Sequence, residues 1–301
     1  MKVQEDAASA PARYLRSHLG PLFEPDPVLL HRPKPNASIE VTTAGRRFVM
    51  EVDEMGCRAV LGQPSAGEKT LTVYGCSFTF GFAVAAGETF CSLLQQMFPN
   101  WRVENHGAPG YGQSQNLIQL ERDTRWYKPE LVTFCWIGGH LRRNVAEISW
   151  VQRNSSQADA SASSKIPDRR VLRATLNRNG DLHLRLVRVP RPDLVGIDLS
   201  DFAPDAYYLD LICFRLFERA STIVKAYGGH FFVTTLRDQL SARLAGQLAD
   251  RGIPVVDASL SGEEYDCLPG DHHPNALANR IYAERIGNYL SRLAPEQGTA
   301  S

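Results

Sequence analysis

A chain of 301 residues that is 43% apolar and 22% charged is large enough for one sizeable core with a small appendage. Its 33 Lys and Arg equal its 33 Asp and Glu, so bulk charge argues against a nucleic-acid partner or an anionic membrane surface. No apolar run is long enough for a membrane span, and the first twenty residues carry no apolar stretch of the secretory kind; a cytoplasmic location is the expectation.

Residues 1–69 read as a tail and a small β extension. The first twenty are a tail or a short helix. Pro21, Pro25, Pro27, Pro33 and Pro35 then favour extended, irregular chain. Residues 38–43 and 46–52 have strand composition around Ala44-Gly45 and predict a hairpin closed by Gly56-Cys57-Arg58, with 60–69 as a linker. From residue 70 strands and helices alternate. Strands are expected at 71–74, 101–104, 131–137, 230–235 and 254–258, and helices at 89–98, 114–126, 206–227, 238–251 and 275–293. This alternation predicts a three-layer α/β/α domain with a doubly wound parallel sheet over 70–295. Residues 151–205 read as an insertion. It opens with a polar loop at 151–165 and continues as a hairpin of 171–176 and 182–189, with Asn179-Gly180 as a type I′ turn. Residues 296–301 read as a disordered tail. Oligomeric state leaves no mark in the sequence.

Six cysteines, at 57, 76, 91, 135, 213 and 267, show no C-x-x-C spacing, so neither a zinc site nor a redox pair is expected. Cys91, Cys135 and Cys213 lie in apolar runs and read as buried thiols.

The chemistry starts at Val73-Tyr74-Gly75-Cys76-Ser77-Phe78-Thr79-Phe80-Gly81. An apolar strand stops at Gly-x-Ser, and helix-like chain is expected after Gly81. Ser77 therefore belongs at the carboxyl edge of a sheet, where open α/β folds place their sites, beside N–H groups left unpaired by a helix start. The same stretch also fits a plain turn with Ser77 as N-cap. Far downstream, Asp271-His272-His273-Pro274-Asn275 precedes the last helix. His273 is expected on a rigid turn, with Asp271 orienting its imidazole, which supplies the base and the acid for a serine nucleophile. Loop histidines at a helix start are the plainer reading. A metal site of Asp271, His272 and His273 is weaker, since these crowd one turn. Between the two segments, Asn105-His106-Gly107-Ala108-Pro109-Gly110-Tyr111-Gly112 forms a Gly-rich loop after a strand, able to turn a backbone N–H toward an oxyanion.

Together GCSFTFG, NHGAPGYG and DHHPN resemble three blocks of the SGNH, or GDSL-type, hydrolase family, in order and spacing, over roughly residues 70–293. The segment ending in FVMEVDEMGCR is similar to the small extension of some bacterial members. The resemblance implies a flavodoxin-like three-layer fold, no cofactor and no metal, and ester hydrolysis or acyl transfer through an acyl-serine. It implies Ser77 as nucleophile and, through its N–H, an oxyanion donor; Gly110 as a second donor; His273 as base; and Asp271 as acid.

Three positions depart from the family pattern. Cys76 stands where Asp is usual. Gly270 occupies the more frequent place of the acid, leaving Asp271 two residues before the histidine and Asp266 as a poorer substitute. In Ile137-Gly138-Gly139-His140, Gly139 stands where an oxyanion-binding Asn is expected and His140 where Asp is expected. Loss of one such donor costs about 10²–10³ in rate. His140 is the nearest replacement donor, with Arg142 and Asn144 behind it as substrate-binding candidates; a protonated His140 or Arg142 would suit an anionic group. His140 as a packed loop residue is the alternative.

Three functions follow. The first is an esterase or deacylase acting on a small acyl ester, such as an O-acetylated carbohydrate or metabolite. The second is an acyltransferase using the same acyl-serine. The third is a non-catalytic binding protein on a decayed hydrolase fold, which the missing Asn favours. Cys76 as nucleophile is a lesser variant. The insertion and the N-terminal hairpin are expected to flank the mouth of the site, with Arg142, Arg143, Arg169 and Arg170 available to an anionic substrate.

Overall fold

The computed structural model describes residues 20–43, 46–64, 69–147, 170–188, 204–268 and 271–293. The expected tails, the polar loop at 151–165, Arg169 and Gly270 lie outside the described residues.

Two antiparallel pairs precede the main sheet. Strand β1 (Phe23–Asp26) pairs with β2 (Leu30–Pro33), and β3 (Ser38–Thr43) pairs with β4 (Arg46–Glu51). The second pair is the expected hairpin. The first corrects the expectation of irregular chain. Pro25 and Pro33 are tolerated because a two-stranded ribbon turns every second N–H away from its partner. Its turn is built by Asp26, whose Oδ1 accepts from the N–H groups of Val28 and Leu29, each at 2.8 Å.

The main sheet starts with β5 (Lys69–Gly75), followed by α1 (Ser77–Phe80) and α2 (Phe90–Met97). Next come β6 (Trp101–Gly107), α3 (Gln113–Asp123), β7 (Leu131–Trp136) and α4 (His140–Asn144). A peripheral hairpin, β8 (Arg170–Leu176) and β9 (Leu182–Arg188), leads to α5 (Ala206–Ala226), β10 (His230–Thr235), α6 (Ala242–Asp250) and β11 (Val255–Asp257). A short ribbon, β12 (Asp266–Leu268) and β13 (Asp271–Pro274), precedes the closing helix α7 (Ala276–Ser291).

Five strands lie in the order β11-β10-β7-β5-β6, each pair parallel. Counted along the chain this is the flavodoxin-like order 2-1-3-4-5 of a doubly wound sheet. The two faces follow from period-2 alternation. Leu71 and Val73 of β5, Cys135 of β7 and Phe232 of β10 join α2 and α7 in one core. Tyr74, Val132, Phe134, Trp136, Phe231 and Val233 join α3, α5 and α6 in the other. Burial on both faces explains why β7 is apolar except at Thr133, whose hydroxyl bonds to that of Thr234 on β10 at 2.8 Å, all six residues being buried.

Local expectations change in five places. The helix after β5 begins at Ser77 and stops before Gly81, whose φ of 72° ends it. Strand β6 continues to Gly107 rather than stopping at Glu104. Helix α6 starts only at Ala242, because Ser241 caps it by accepting from Leu244 N at 3.1 Å. The β8–β9 turn is not type I′. Gly180 N donates to Asn177 O at 3.0 Å, and of Asn179 and Gly180 only the glycine has positive φ (81°). This is a turn over Arg178-Asn179 followed by a left-handed glycine, a longer hairpin loop. Finally, Asp271 to Pro274 is a strand paired to β12, not a free turn.

Along β6 a charged cluster is packed against the sheet edge. His106 contacts Glu104 Oε2 at 3.4 Å and Asp123 Oδ2 at 3.1 Å, while Tyr127 and Tyr74 donate to the same two carboxylates. Burial opposes the imidazolium, but its neighbours Cys57, Tyr127 and Asp123 outweigh this and hold the His106 pKa well above its ordinary value. Burial likewise opposes the Glu104 carboxylate, yet His106, Tyr127 and Arg102 pull its pKa down to about 2. His106→Gln leaves the half-buried Glu104 and Asp123 carboxylates without the cation between them and is expected to cost about 1–3 kcal/mol in urea unfolding at neutral pH. A raised histidine pKa stabilises fully below the unfolded value near 6.5, and the contribution is lost as pH rises through the folded value. The gap between wild type and variant is therefore expected to narrow in alkaline buffer.

Candidate active site

Strand β5 has β6 on one side and β7 on the other, so the chain departs in opposite directions at its carboxyl end. That switch point is where an open α/β sheet leaves a crevice. Ser77, the first residue of α1, stands there. The helix can come this close to β6 only because Gly107 ends that strand. A Cβ on Gly107 would lie 2.4 Å from Phe80 N and 2.9 Å from Thr79 C, inside contact with the backbone of α1. Asn105 fastens the arrangement. Its Nδ2 donates to Thr79 O at 2.7 Å, and its Oδ1 accepts from Gly107 N at 3.0 Å.

His273 arrives from the other end of the chain on β13. The ribbon is held by Asn275, whose Nδ2 donates to Glu264 O at 2.7 Å and Asp266 O at 3.2 Å while its Oδ1 caps α7. His273 Nε2 lies 2.9 Å from Ser77 Oγ, and His273 Nδ1 lies 2.5 Å from Asp271 Oδ1. The same carboxylate oxygen accepts from His273 N at 3.2 Å. A carboxylate can only accept, so Nδ1 carries the proton and Nε2 faces the serine hydroxyl as an acceptor. All three groups are enclosed, with residue exposures of 7%, 8% and 5% for Ser77, His273 and Asp271. Phe78 and Phe82 wall the imidazole, their ring centroids 5.6 and 4.8 Å away.

The Gly-rich loop forms a turn in which Tyr111 N donates to Ala108 O at 3.2 Å. Pro109 takes its second position and Gly110, at φ 81°, its third. This is the type II pattern, which demands positive φ at the third position and so favours glycine. The Ser77 N–H belongs to the first helical turn and has no acceptor within the helix.

Other candidates fall elsewhere. His140 does not face an open site. It is fully buried, its Nδ1 accepts from Gln113 Nε2 at 2.9 Å, and its pKa is driven well below the ordinary value by burial, with Arg143 adding to the shift. A protonated, substrate-facing His140 is thereby corrected: the ring turns inward beneath α3. Asn144 is also buried, and its Oδ1 accepts from Ser114 N at 3.2 Å, so it caps α3 rather than meeting substrate. Arg142 is exposed and lies 3.9 Å from Glu147. Arg143 donates to Tyr111 O at 2.9 Å, bracing the Gly-rich loop. Asp266 is engaged by His272 Nδ1 at 2.8 Å and Arg237 Nη1 at 2.9 Å, away from His273. Cys76 is buried in the sheet core at 1% exposure. Among the described residues no cluster of His, Cys, Asp or Glu could hold a metal ion.

Sequence reasoning did not assign Asn105, Phe82 or His31. Asn105 opens the Gly-rich block, which was a usable signal; an aromatic after a glycine and a histidine in a Pro-rich stretch were not.

No family model matches the chain, and neither does any curated protein. Solved structures similar to it include a member of the lipolytic protein G-D-S-L family from Veillonella parvula, at 14% identity and TM-score 0.43, covering 74% of this chain and 98% of that one. Others are a GDSL-like lipase from Bacteroides thetaiotaomicron (14% identity, TM-score 0.42, 77% and 92% covered) and the psychrotrophic esterase EstA from a Pseudoalteromonas species (10%, 0.43, 75% and 98%).

Gly107→Ala tests the seating of α1. The added methyl meets backbone rather than a yielding side chain, and a loss of about 1–3 kcal/mol is expected in urea unfolding. Gly246→Ala, with nothing within 4 Å in α6, is the control and is expected to gain up to about 1 kcal/mol.

Proposed function

We propose that the chain is a serine hydrolase that cleaves a small acyl ester through an acyl-Ser77 intermediate. One observation carries this reading: hydroxyl, imidazole and carboxylate lie in hydrogen-bonded series, 2.9 and 2.5 Å apart, although Ser77 and His273 are separated by 196 positions. A purely structural role gives no reason to enclose this series at the switch point of the sheet.

Ser77 Oγ attacks the ester carbonyl carbon while His273 Nε2 takes its proton. Asp271 holds the tautomer and stabilises the imidazolium. The tetrahedral oxyanion forms against the N–H groups of Ser77 and Gly110, which are fixed before the reaction and need not reorganise. Collapse breaks the bond to the alkoxy oxygen, which receives the proton from Nε2 and leaves as the alcohol. Water, deprotonated by the same imidazole, then releases the acid and regenerates Ser77. The Phe78 and Phe82 rings limit water around His273, which strengthens each of these electrostatic contacts.

A fluorophosphonate probe is expected to label the wild-type protein at Ser77, and a series of p-nitrophenyl esters of increasing chain length to reveal the acyl preference. Ser77→Ala is expected to lose all labelling and to lower kcat by a factor on the order of 10⁶. Asp271→Asn is expected to lower kcat about 10⁴-fold through the wrong tautomer. Labelling that persists in Ser77→Ala would refute the assignment.

Gly139, where the resembling family carries its third oxyanion donor, has ordinary helical torsions (φ −59°, ψ −20°). A Cβ there would meet nothing nearer than Arg143 Nη2 at 3.7 Å, so a side chain fits. Gly139→Asn is expected to fold as the wild type does and to raise kcat/KM by about 10-fold or more, read from ester turnover and thermal melting.

A further inference from the structure

We infer that His31, on the N-terminal β1–β2 pair, is a positioning residue of the site: it fixes the Pro109–Gly110 peptide so that the Gly110 N–H faces the oxyanion. The inference rests on the hydrolase reading above and extends the site to a segment that reading does not use.

His31 Nε2 lies 2.9 Å from Pro109 O. Pro109 O and Gly110 N–H are the two ends of one planar peptide group, so a bond that holds the first also aims the second. This peptide is the central one of the Ala108–Tyr111 turn. Type I and type II turns differ chiefly by a flip of that peptide by roughly 180°. With glycine at the third position both forms are open, since glycine takes either sign of φ. The i→i+3 bond of the turn, Tyr111 N to Ala108 O, is common to both and does not choose between them. The His31 bond does choose, because a flipped Pro109 carbonyl would turn away from the ring. A donor on the carbonyl also polarises the N–H at the far end of the same amide, strengthening it by about 10–30%. Pro109 O can only accept, so His31 donates from Nε2; burial lowers the ring's pKa, consistent with the neutral form.

Two aromatic rings hold the imidazole, and further contacts hold the segment that carries it. Tyr111 OH donates to His31 O, and the Tyr111 ring packs against the imidazole at 5.4 Å. Phe23 meets it edge-on at 5.5 Å. The preceding turn is clamped to α3 by Arg122, whose Nη1 and Nη2 reach the Asp26 carboxylate at 2.8 and 3.2 Å. Leu30, next to His31, has φ 77°, a left-handed torsion that a leucine rarely adopts and that surrounding contacts must enforce.

The experiment compares His31→Phe, which keeps ring packing but cannot donate, with His31→Gln, whose amide can. Both are assayed on the best p-nitrophenyl ester, with fluorophosphonate inactivation rate and thermal midpoint measured alongside. His31→Phe is expected to lose about 10- to 100-fold in kcat, less than outright loss of a donor, with KM within about twofold of wild type, as for an interaction made only in the transition state. Its inactivation rate is expected to fall in parallel, and His31→Gln to recover most of the loss. Wild-type kcat in His31→Phe, a loss confined to KM, or a Gln variant no better than Phe overturns the inference. If His31→Phe does not fold, His31→Met takes its place against His31→Gln, with the same outcomes. A wild-type protein that neither turns over esters nor takes the probe refutes the hydrolase reading itself, before any variant is compared.

Discussion

The contact between His273 and Ser77 requires that two unrelated parts of the chain reach the same edge of the sheet with ångström tolerance. On one side, α1 must lie flat against the ends of β5 and β6. Glycine at position 107 removes the side chain that would hold it off, and Asn105 spends both ends of its amide tying the helix carbonyl to the strand. On the other, His273 must be carried on a strand rather than a loop. The β12–β13 ribbon supplies that stiffness, anchored by Asn275 to the chain before it and to α7 after it. Each device is local and inexpensive alone. Their shared consequence is that the fold itself holds serine, imidazole and carboxylate in register.

The N-terminal segment belongs to this machinery rather than to the periphery. Its small core, Leu22, Val41, Phe48, Met50 and Val52, is completed by Phe80 and Phe82 from the segment that follows Ser77. Arg58, fully buried, donates from Nη1 to Glu51 O at 3.0 Å and lies over the Phe80 ring, while its backbone N–H bonds to Asn105 O. The aromatic wall of His273 and the apolar packing of the appendage are thus one structure seen from two sides. Unfolding the appendage would expose Phe80 and Phe82 and loosen the wall.

Much of this was legible in the residues. Alternating strands and helices pointed to the sheet class, and the central strand β7, buried on both faces, is nearly all apolar, whereas the edge strands β6 and β11 are buried only at alternate positions. Ser77, Asp271 and His273 stood out in combination, because each alone fits a plain turn or cap, while a serine at a strand end and an Asp-x-His before the last helix together supply a nucleophile, a base and an acid. What escaped the sequence was one local strand pair, the direction of one side chain and the register of one turn. The β1–β2 pair hides under prolines, which usually forbid a ladder but are tolerated in a two-stranded ribbon. His140 matched a motif position yet turned inward, because a neutral ring accepting from Gln113 packs well in a space that a charged one would not tolerate. The β8–β9 turn carried Asn-Gly at the wrong offset, since the hydrogen bond from Gly180 to Asn177 moved the turn one residue upstream.

In the hydrolase reading proposed above, a site with Gly139 in place of a side-chain donor depends more heavily on the donors that remain. Oxyanion stabilisation comes from dipoles already aimed before charge develops, so fewer donors make the rigidity of each more important. The contacts around Gly110 fit that demand. The turn is closed by its own hydrogen bond, its carbonyl side is held by His31, and Tyr111 is braced through its hydroxyl to His31 and through its carbonyl by Arg143. The Asp26–Arg122 pair joins the ribbon that carries His31 to the helix that follows the loop. A backbone N–H fixed by so many neighbours loses little orientation to thermal motion, and that stiffness is what a flexible asparagine side chain would have had to obtain from packing of its own.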